Sequence, residues 1–121
     1  MSDWAEFLNE RPVAVIATVG ADGAPHAVPV EVVVHDGKVY TWGHAQSVRA
    51  RNVARNGIAT LTAYKGGSAF VMVQGSARTF GTEEPDYEEL TKRFLEKYQR
   101  EETYGNDTML EITPEKIVQR S

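Results

Sequence analysis

Short runs of β-branched and apolar residues, separated by tight turns, constrain this chain most strongly toward an antiparallel sheet. The run over 13–19 is followed by the turn Ala21-Asp22-Gly23-Ala24-Pro25 and by a second run over 26–34. The Asp-Gly pair at the centre of that turn is typical of a hairpin. Because the turns are short, consecutive strands should pair antiparallel, and such twisted strands tend to close into a barrel. The sequence therefore predicts a mainly β fold, an antiparallel β-barrel with a few helices.

The other segments of the chain alternate between strands and helices at short intervals. A first helix over 3–9 is capped by Ser2 or Asp3 and ended by Pro12. Turns are predicted at 35–38 and 65–68. The remaining predicted elements are strands over 39–42, 58–64, 69–80 with an interruption at Gly75, 108–112 and 117–119, and helices over 47–55 and 85–100.

The size and charge of the chain restrict the class of protein that it can be. Its 121 residues predict one domain over 1–121, and 41% hydrophobic with 25% charged residues is typical of a folded soluble protein. A domain this small leaves much of its surface exposed, so a homodimer is a reasonable expectation. The net charge of -4 disfavours a nucleic-acid partner, because such proteins present a basic face.

Several chemistries and locations are disfavoured by what the sequence lacks. Without cysteine, disulfides and thiolate catalysis are excluded. There is no secretory signal and no run of about 18 apolar residues, so we expect a cytoplasmic protein without a membrane span. His26, His35 and His44 lie in or beside turns without metal-site spacing, and no nucleophile motif occurs. We predict no metal site and no catalytic side chain, so any enzyme activity would depend on a cofactor.

The helix that begins at Ser47 is the strongest candidate for a binding site. It carries Arg49, Arg51, Asn52 and Arg55 in its first turns. A helix start exposes unpaired N–H groups and positive partial charge, and a hydroxyl with guanidinium groups completes a set of donors for a phosphate. The alternative is a solvated basic helix whose arginines pair with carboxylates of this acidic chain, with Ser47 as an ordinary cap.

Three nearby features are compatible with a bound heterocycle, and each also has a simpler explanation. Pro29 interrupts a strand, which indicates an edge or a bulge with free backbone groups. Glu31 either lines a polar site or faces water, and water is the expectation because carboxylates are seldom buried unpaired. Trp42 either packs beside a cofactor, with Gly43 allowing close approach, or is a core or interface aromatic.

Taken in order along the chain, these motifs resemble the pyridoxamine 5′-phosphate oxidase-like flavin-binding split β-barrels. That family includes small flavin- and deazaflavin-dependent oxidoreductases. The resemblance covers most of 7–118. It is carried by Ala17-Thr18-Val19-Gly20-Ala21-Asp22-Gly23-Ala24-Pro25-His26, Val28-Pro29-Val30, Tyr40-Thr41, Ser47-Val48-Arg49-Ala50-Arg51-Asn52-Val53, Val73-Gln74-Gly75-Ser76-Ala77 and Leu110-Glu111-Ile112-Thr113-Pro114-Glu115-Lys116-Ile117.

The resemblance implies a homodimer with two cofactor sites at the subunit interface. It implies a phosphate held by the segment before and at the short helix, and a ring beside the first hairpin. The cofactor-binding residues implied or suggested in this way are Val28, Pro29, Val30, Thr41, Trp42, Ser47, Arg49, Arg51 and Asn52. Relatives often have lysine where Arg49 stands, a departure that keeps the charge and changes its geometry.

The cofactor implied is flavin mononucleotide (FMN), with the deazaflavin coenzyme F-420 as the alternative. The activity implied is hydride transfer to or from a small organic substrate. This compact chain lacks the substrate-binding elements of the longer vitamin B6 oxidases, so we do not expect it to oxidise pyridoxamine phosphate. Two other hypotheses stay open, a non-catalytic cofactor or haem carrier or sensor using His26 or His44, and a nucleic-acid module, which the acidic charge disfavours.

Overall fold

A seven-stranded antiparallel sheet with three helices forms the fold in the computed structural model, which describes residues 3–120. The strand order is β2-β1-β5-β6-β7-β4-β3, and every neighbouring pair is antiparallel. This confirms the predicted mainly β fold. The strands are β1 (Ala14–Val19), β2 (Pro25–Val30), β3 (Val33–His35), β4 (Lys38–Gly43), β5 (Ile58–Lys65), β6 (Ala69–Phe80) and β7 (Thr108–Arg120), and the helices are α1 (Trp4–Asn9), α2 (Val48–Asn56) and α3 (Tyr87–Tyr98).

The two edge strands of the sheet, β2 and β3, are consecutive in the chain. Only Glu31 and Val32, which we call the strap, join them. Three peptide units span at most about 11 Å, so the two edges lie close together and the sheet must curl into an incomplete barrel. The single strand predicted over 26–34 is therefore wrong, because the chain crosses from one edge of the sheet to the other at Glu31.

Of two further predictions, the division of the last strand is wrong and the first helix is confirmed. The separate strands predicted over 108–112 and 117–119 form one strand, β7, because a bulge opposite Gly75 accommodates Pro114. The first helix is confirmed, and its cap is Asp3, whose side chain accepts a hydrogen bond from the Ala5 amide at 3.2 Å. The alternative cap, Ser2, lies outside the described residues.

The core has two parts, divided by the faces of the sheet. Alternating strand residues such as Ile16, Leu61 and Val73 are fully buried inside the barrel. An aromatic cluster lies between β4 and α3, where the Trp42 ring stacks on Phe94 at 4.6 Å between ring centroids. The Trp42 side chain is thus a core aromatic, one of the roles left open by the sequence.

Side chains from α3 hold the strap in place of a neighbouring strand. The Tyr98 hydroxyl accepts a hydrogen bond from the Val32 amide at 3.0 Å and donates one to the Pro12 carbonyl at 2.9 Å. Lys97 Nζ donates to the carbonyl of Val32 at 2.6 Å and to that of Leu8 at 3.3 Å. The backbone polar groups of Val32 are therefore satisfied by residues remote in sequence.

Glu31, in the strap, binds one guanidinium and one indole. Arg100 donates to both of its carboxylate oxygens at 2.7 and 2.6 Å, and Trp42 Nε1 donates to one of them at 2.9 Å. The expectation that Glu31 faces water is therefore wrong, because a bidentate guanidinium compensates a partly buried carboxylate.

Lys97 should give the fold a distinct pH dependence. Burial lowers the pKa of its half-buried amine to about 8, below the ordinary value of 10.5. Between these two values the unfolded chain binds more protons than the folded one, so Lys97 makes the free energy of unfolding rise with pH in that window. Urea titrations of the wild type and Lys97→Met from pH 7.5 to 10 test this. The free energy of unfolding should rise more steeply with pH in the wild type than in Lys97→Met. Equal slopes in the two proteins would contradict this prediction.

Candidate functional site

The start of α2 and the end of β4 form the candidate site. Ser47 caps α2, accepting a hydrogen bond from the Ala50 amide at 3.2 Å, and Gly57 ends the helix with a positive φ of 71°. Both ends of this helix are where the sequence predicted them. We call the group of residues around its first turn the cradle, and they are Thr41, Trp42, Gly43, His44, Ser47, Arg49, Ala50, Thr108 and Leu110.

Arg49 places a guanidinium in the cradle without a carboxylate partner. Its Nη2 donates to the main-chain carbonyl of Trp42 at 3.2 Å, and no acidic group in residues 3–120 forms an ion pair with it. A Cβ on Gly43 would lie 2.6 Å from that nitrogen, so the glycine leaves the room that Arg49 occupies. Burial lowers the pKa of Arg49, although a guanidinium stays charged. A bound anion would offset this uncompensated charge.

Thr41 contributes a second uncompensated group to the same place. The residue is 0% exposed, and its hydroxyl oxygen has no hydrogen-bond partner among the described residues. A buried polar group left in this way costs about 1–3 kcal/mol. Thr41 and Arg49 therefore fit a ligand that both accepts hydrogen bonds and carries negative charge.

The cradle is shallow. The space between its side chains is about 10 Å³, close to the minimum that holds one water molecule. A phosphate would therefore sit at the mouth of the cradle, over the N-terminus of α2, where backbone N–H groups and the positive end of the helix dipole face it.

The other predicted polar residues of α2 lie in two different places. Arg51 is exposed, and its guanidinium forms no ion pair or hydrogen bond with another residue of the described chain. Asn52 is buried, where its Nδ2 donates to Thr18 Oγ1 at 3.0 Å and its Oδ1 accepts from Arg55. Arg55 also donates to the Val19 carbonyl at 3.3 Å. Asn52 and Arg55 thus hold α2 on β1, and Arg51 alone has a free guanidinium facing outward.

The alternative in which the α2 arginines pair with carboxylates does not describe this structure. Within residues 3–120, none of Arg49, Arg51 and Arg55 appears in an ion pair. The cationic surface of α2 is therefore available to an anion from outside the chain.

The residues predicted to lie by a ring are on edge strand β2. Pro29 is exposed, Val28 is half-buried and Val30 is buried in the core. Pro29 pairs only with β1, opposite Val15, which confirms the edge position that its missing N–H required. The strap connects this edge to β3, whose neighbour β4 carries Thr41.

The ring and the backbone of Trp42 lie in two different environments. Its ring lies in the aromatic cluster against α3, whereas its main-chain carbonyl lines the cradle and accepts the hydrogen bond from Arg49. Only the backbone of Trp42 is therefore placed to contact a ligand in the cradle.

Residues from the end of the chain complete the cradle, and sequence reasoning missed them. Thr108 and Leu110 line it from β7. Asp107, just before β7, accepts hydrogen bonds from the Ala45 amide at 3.2 Å and from Thr108 Oγ1 at 2.8 Å, and so ties the start of β7 to the loop before α2. No local pattern signals this role, since these residues follow the cradle helix by more than fifty positions.

Two further findings bear on the class of site. Among the residues that the structure describes, no group of three or more His, Cys, Asp or Glu side chains could hold a metal ion. Across the same residues, no helix has the length and apolar character needed to cross a membrane.

Comparisons with known proteins show the family to which this architecture belongs. A family model described as Pyridoxamine 5′-phosphate oxidase matches residues 2–121. The F420H(2)-dependent biliverdin reductase of Mycobacterium tuberculosis is 26% identical over 120 residues, covering 96% of this chain and 85% of that protein.

Solved structures share the fold at low sequence identity. A conserved hypothetical protein of Mycobacterium tuberculosis aligns with a TM-score of 0.80 at 24% identity, over 98% of this chain and 84% of its own. HutZ, the heme storage protein of Vibrio cholerae, aligns with a TM-score of 0.77 at 15% identity, over 94% and 89% of the two chains. These likenesses confirm the antiparallel split β-barrel that the sequence resemblance implied.

Proposed function

This chain belongs to the pyridoxamine 5′-phosphate oxidase family, and from that premise we propose that it is an oxidoreductase whose cradle holds the phosphate of a flavin-type cofactor. The cofactor is FMN or the deazaflavin F-420, and the substrate is a small organic molecule. The proposal depends on two groups that line the same site. Among the described residues, half-buried Arg49 has no carboxylate partner, and the buried Thr41 hydroxyl has no hydrogen-bond partner.

Each cradle residue has a distinct task in this proposal. Arg49 supplies charge and a guanidinium fork, and Ser47 can donate its hydroxyl hydrogen while its oxygen caps α2. Thr41 supplies a hydroxyl to the water-sized space beneath the phosphate. Val28, Pro29 and Val30 are the proposed wall for the ring. When bound, the cofactor supplies the hydride chemistry, and the chain binds it, orients it and keeps water from it.

Both cofactors suit the charges around the cradle. The phosphate monoester of FMN needs only the cradle, whereas the longer anionic tail of F-420 would extend along α2, where Arg51 is exposed and has no ion pair within residues 3–120. The similarity to an F420H(2)-dependent reductase supports the second choice, and the family description supports the first.

Titration of the purified chain with each cofactor tests the proposal. We expect FMN, F-420 or both to bind with a micromolar or lower dissociation constant, measured by fluorescence quenching or calorimetry. Binding of neither cofactor would overturn the proposal. A Soret band after reconstitution with haemin, in a chain that binds neither cofactor, would instead favour the haem-carrier alternative.

We also propose that the chain forms a homodimer through the outer face of the sheet. Val15, Thr62, Met72 and Val118 form one row across four strands, on the face opposite the buried barrel residues. Val15 is 39% and Val118 is 38% exposed, and Tyr64 in the next row is 75% exposed. In the part of the chain that the structure describes, this row, which we call the flat band, leaves Val15 and Val118 exposed, and exposed apolar bands mark protein interfaces.

A charge in the flat band should weaken dimerisation. Val15→Glu would place an unpaired carboxylate in the interface, and we expect the dimer dissociation constant to rise at least about tenfold. Light scattering across a dilution series measures it. Tyr104→Glu, at an exposed apolar position in the loop before β7, is the control and should leave the assembly unchanged. A wild type that stays monomeric at high concentration would contradict the proposed dimer.

A further inference from the structure

A groove on the outer face of the sheet lies one row of residues from the flat band. Its volume is about 420 Å³, within the usual range for small-ligand pockets. The β1–β2 hairpin and the start of β5 supply its apolar wall, which consists of Ala17, Val19, Pro25, Ile58 and Ala59. Thr18 and Thr60 add hydroxyl groups from β1 and β5, and the other polar side chains, Gln74 and Glu115, lie on β6 and β7.

A bulge brings the only acidic side chain of the groove into place. Gln74 pairs with Lys116 and Gly75 with Pro114, so Glu115 has no partner across the β6–β7 ladder. A Cβ on Gly75 would lie 1.9 Å from the Thr113 carbonyl oxygen, so this close approach of the strands requires glycine. The extra residue of a bulge re-aims a side chain, and here Glu115 lines the groove.

The groove presents hydrogen-bond acceptors and no cation. Within the described chain, the Glu115 carboxylate forms no ion pair or hydrogen bond, and Lys116 does not line the groove. Gln74 Nε2 donates to Thr60 Oγ1 at 3.2 Å, which fixes the amide and leaves its oxygen free to accept. A molecule complementary to these groups has an apolar body and a positively charged N–H donor.

We propose that this groove is a binding site for a flat organic cation, with its rings against the apolar wall and its N–H group toward Glu115. This proposal does not rest on the proposed function, since the groove and the cradle share no lining residue. Because β1, β2, β5, β6 and β7 of one chain form the groove, and the row of the flat band borders it without lining it, binding requires neither the cofactor nor the dimer.

Fluorescence titration with 9-aminoacridine, a flat cation at neutral pH, tests the proposal, with uncharged acridine at pH 8 as the comparison. We expect Glu115→Gln to weaken 9-aminoacridine binding about three- to fivefold, as for a partly exposed ion pair, and to leave acridine unaffected. Lys116→Gln, which changes the adjacent charge outside the groove, should not weaken binding. Equal binding of the two dyes, or no effect of Glu115→Gln, would overturn the proposal.

Two further variants separate this site from the cradle. Ala17→Phe fills the groove and should weaken both dyes more than tenfold, with circular dichroism confirming the fold. Arg49→Ala should leave 9-aminoacridine affinity within twofold, so failure of cofactor binding and failure of dye binding are separate results. Stoichiometric displacement of the dye by FMN or F-420 would show that it occupies the cofactor site, and would also overturn the proposal.

Discussion

Replacing Arg49 by alanine is expected to weaken cofactor binding by about 1.5–3 kcal/mol, roughly 10- to 150-fold in the dissociation constant. The reason is the state of the guanidinium before any ligand arrives. It is half-buried, donates to one main-chain carbonyl and has no carboxylate partner within 3–120, so a phosphate gains a charge-assisted bond without displacing an existing ion pair. Calorimetric titration of wild type and variant with FMN and with F-420 measures the difference.

Two controls make the Arg49 result specific. Arg49→Lys keeps the charge and loses the fork, so its affinity should fall between those of the wild type and the alanine variant. Arg93→Ala removes an exposed arginine that pairs with Glu89 on α3, remote from the cradle, and should have no effect. Wild-type affinity in Arg49→Ala would remove Arg49 from the binding site.

Replacing Gly75 by alanine is expected to reduce the free energy of unfolding by about 3 kcal/mol, a large effect for one methyl group. The added Cβ would meet the Thr113 carbonyl oxygen at 1.9 Å, and that oxygen belongs to the backbone of the neighbouring strand. A backbone atom cannot rotate away as a side chain can, so β6 and β7 must separate at the bulge. Urea denaturation followed by circular dichroism measures the loss.

The matched control for Gly75 is Gly67, in the turn between β5 and β6. A Cβ at Gly67 would have nothing within 4 Å, so Gly67→Ala should change stability by less than about 0.5 kcal/mol. Equal stabilities of the two alanine variants would show that the β6–β7 approach is looser than described.

Local sequence chemistry was sufficient to predict the segments whose structure depends on neighbouring residues. Ser47 and Gly57 bracket α2 because a hydroxyl cap and a left-handed glycine act within one turn of the chain. The Asp22-Gly23 turn joins β1 to β2 for the same reason, since a positive φ of 85° at Gly23 is a local requirement. The cradle could be located from the sequence because its helix start is local in this sense.

Features that depend on remote residues could not be predicted. Five of the seven residues from Val28 to Val34 are valine, and Pro29 indicates an edge strand without showing that the chain crosses to the other edge at Glu31. The partner of Glu31 is Arg100, 69 residues away. Trp42 could be core, interface or ligand wall until α3 placed Phe94 on its ring. In each case tertiary contacts decide among roles that the local pattern allows equally.

Hydrogen exchange of one amide in the strap, that of Val32, reports whether the two edges of the barrel are held together. Most strand amides exchange with deuterium according to the opening of a ladder between two strands. The Val32 amide is protected instead by the phenol of Tyr98 on α3, so its exchange reports the undocking of a helix. In Tyr98→Phe this one amide should lose its protection while those of β5 and β6 keep theirs, which separates the closing of the barrel from the pairing of its strands.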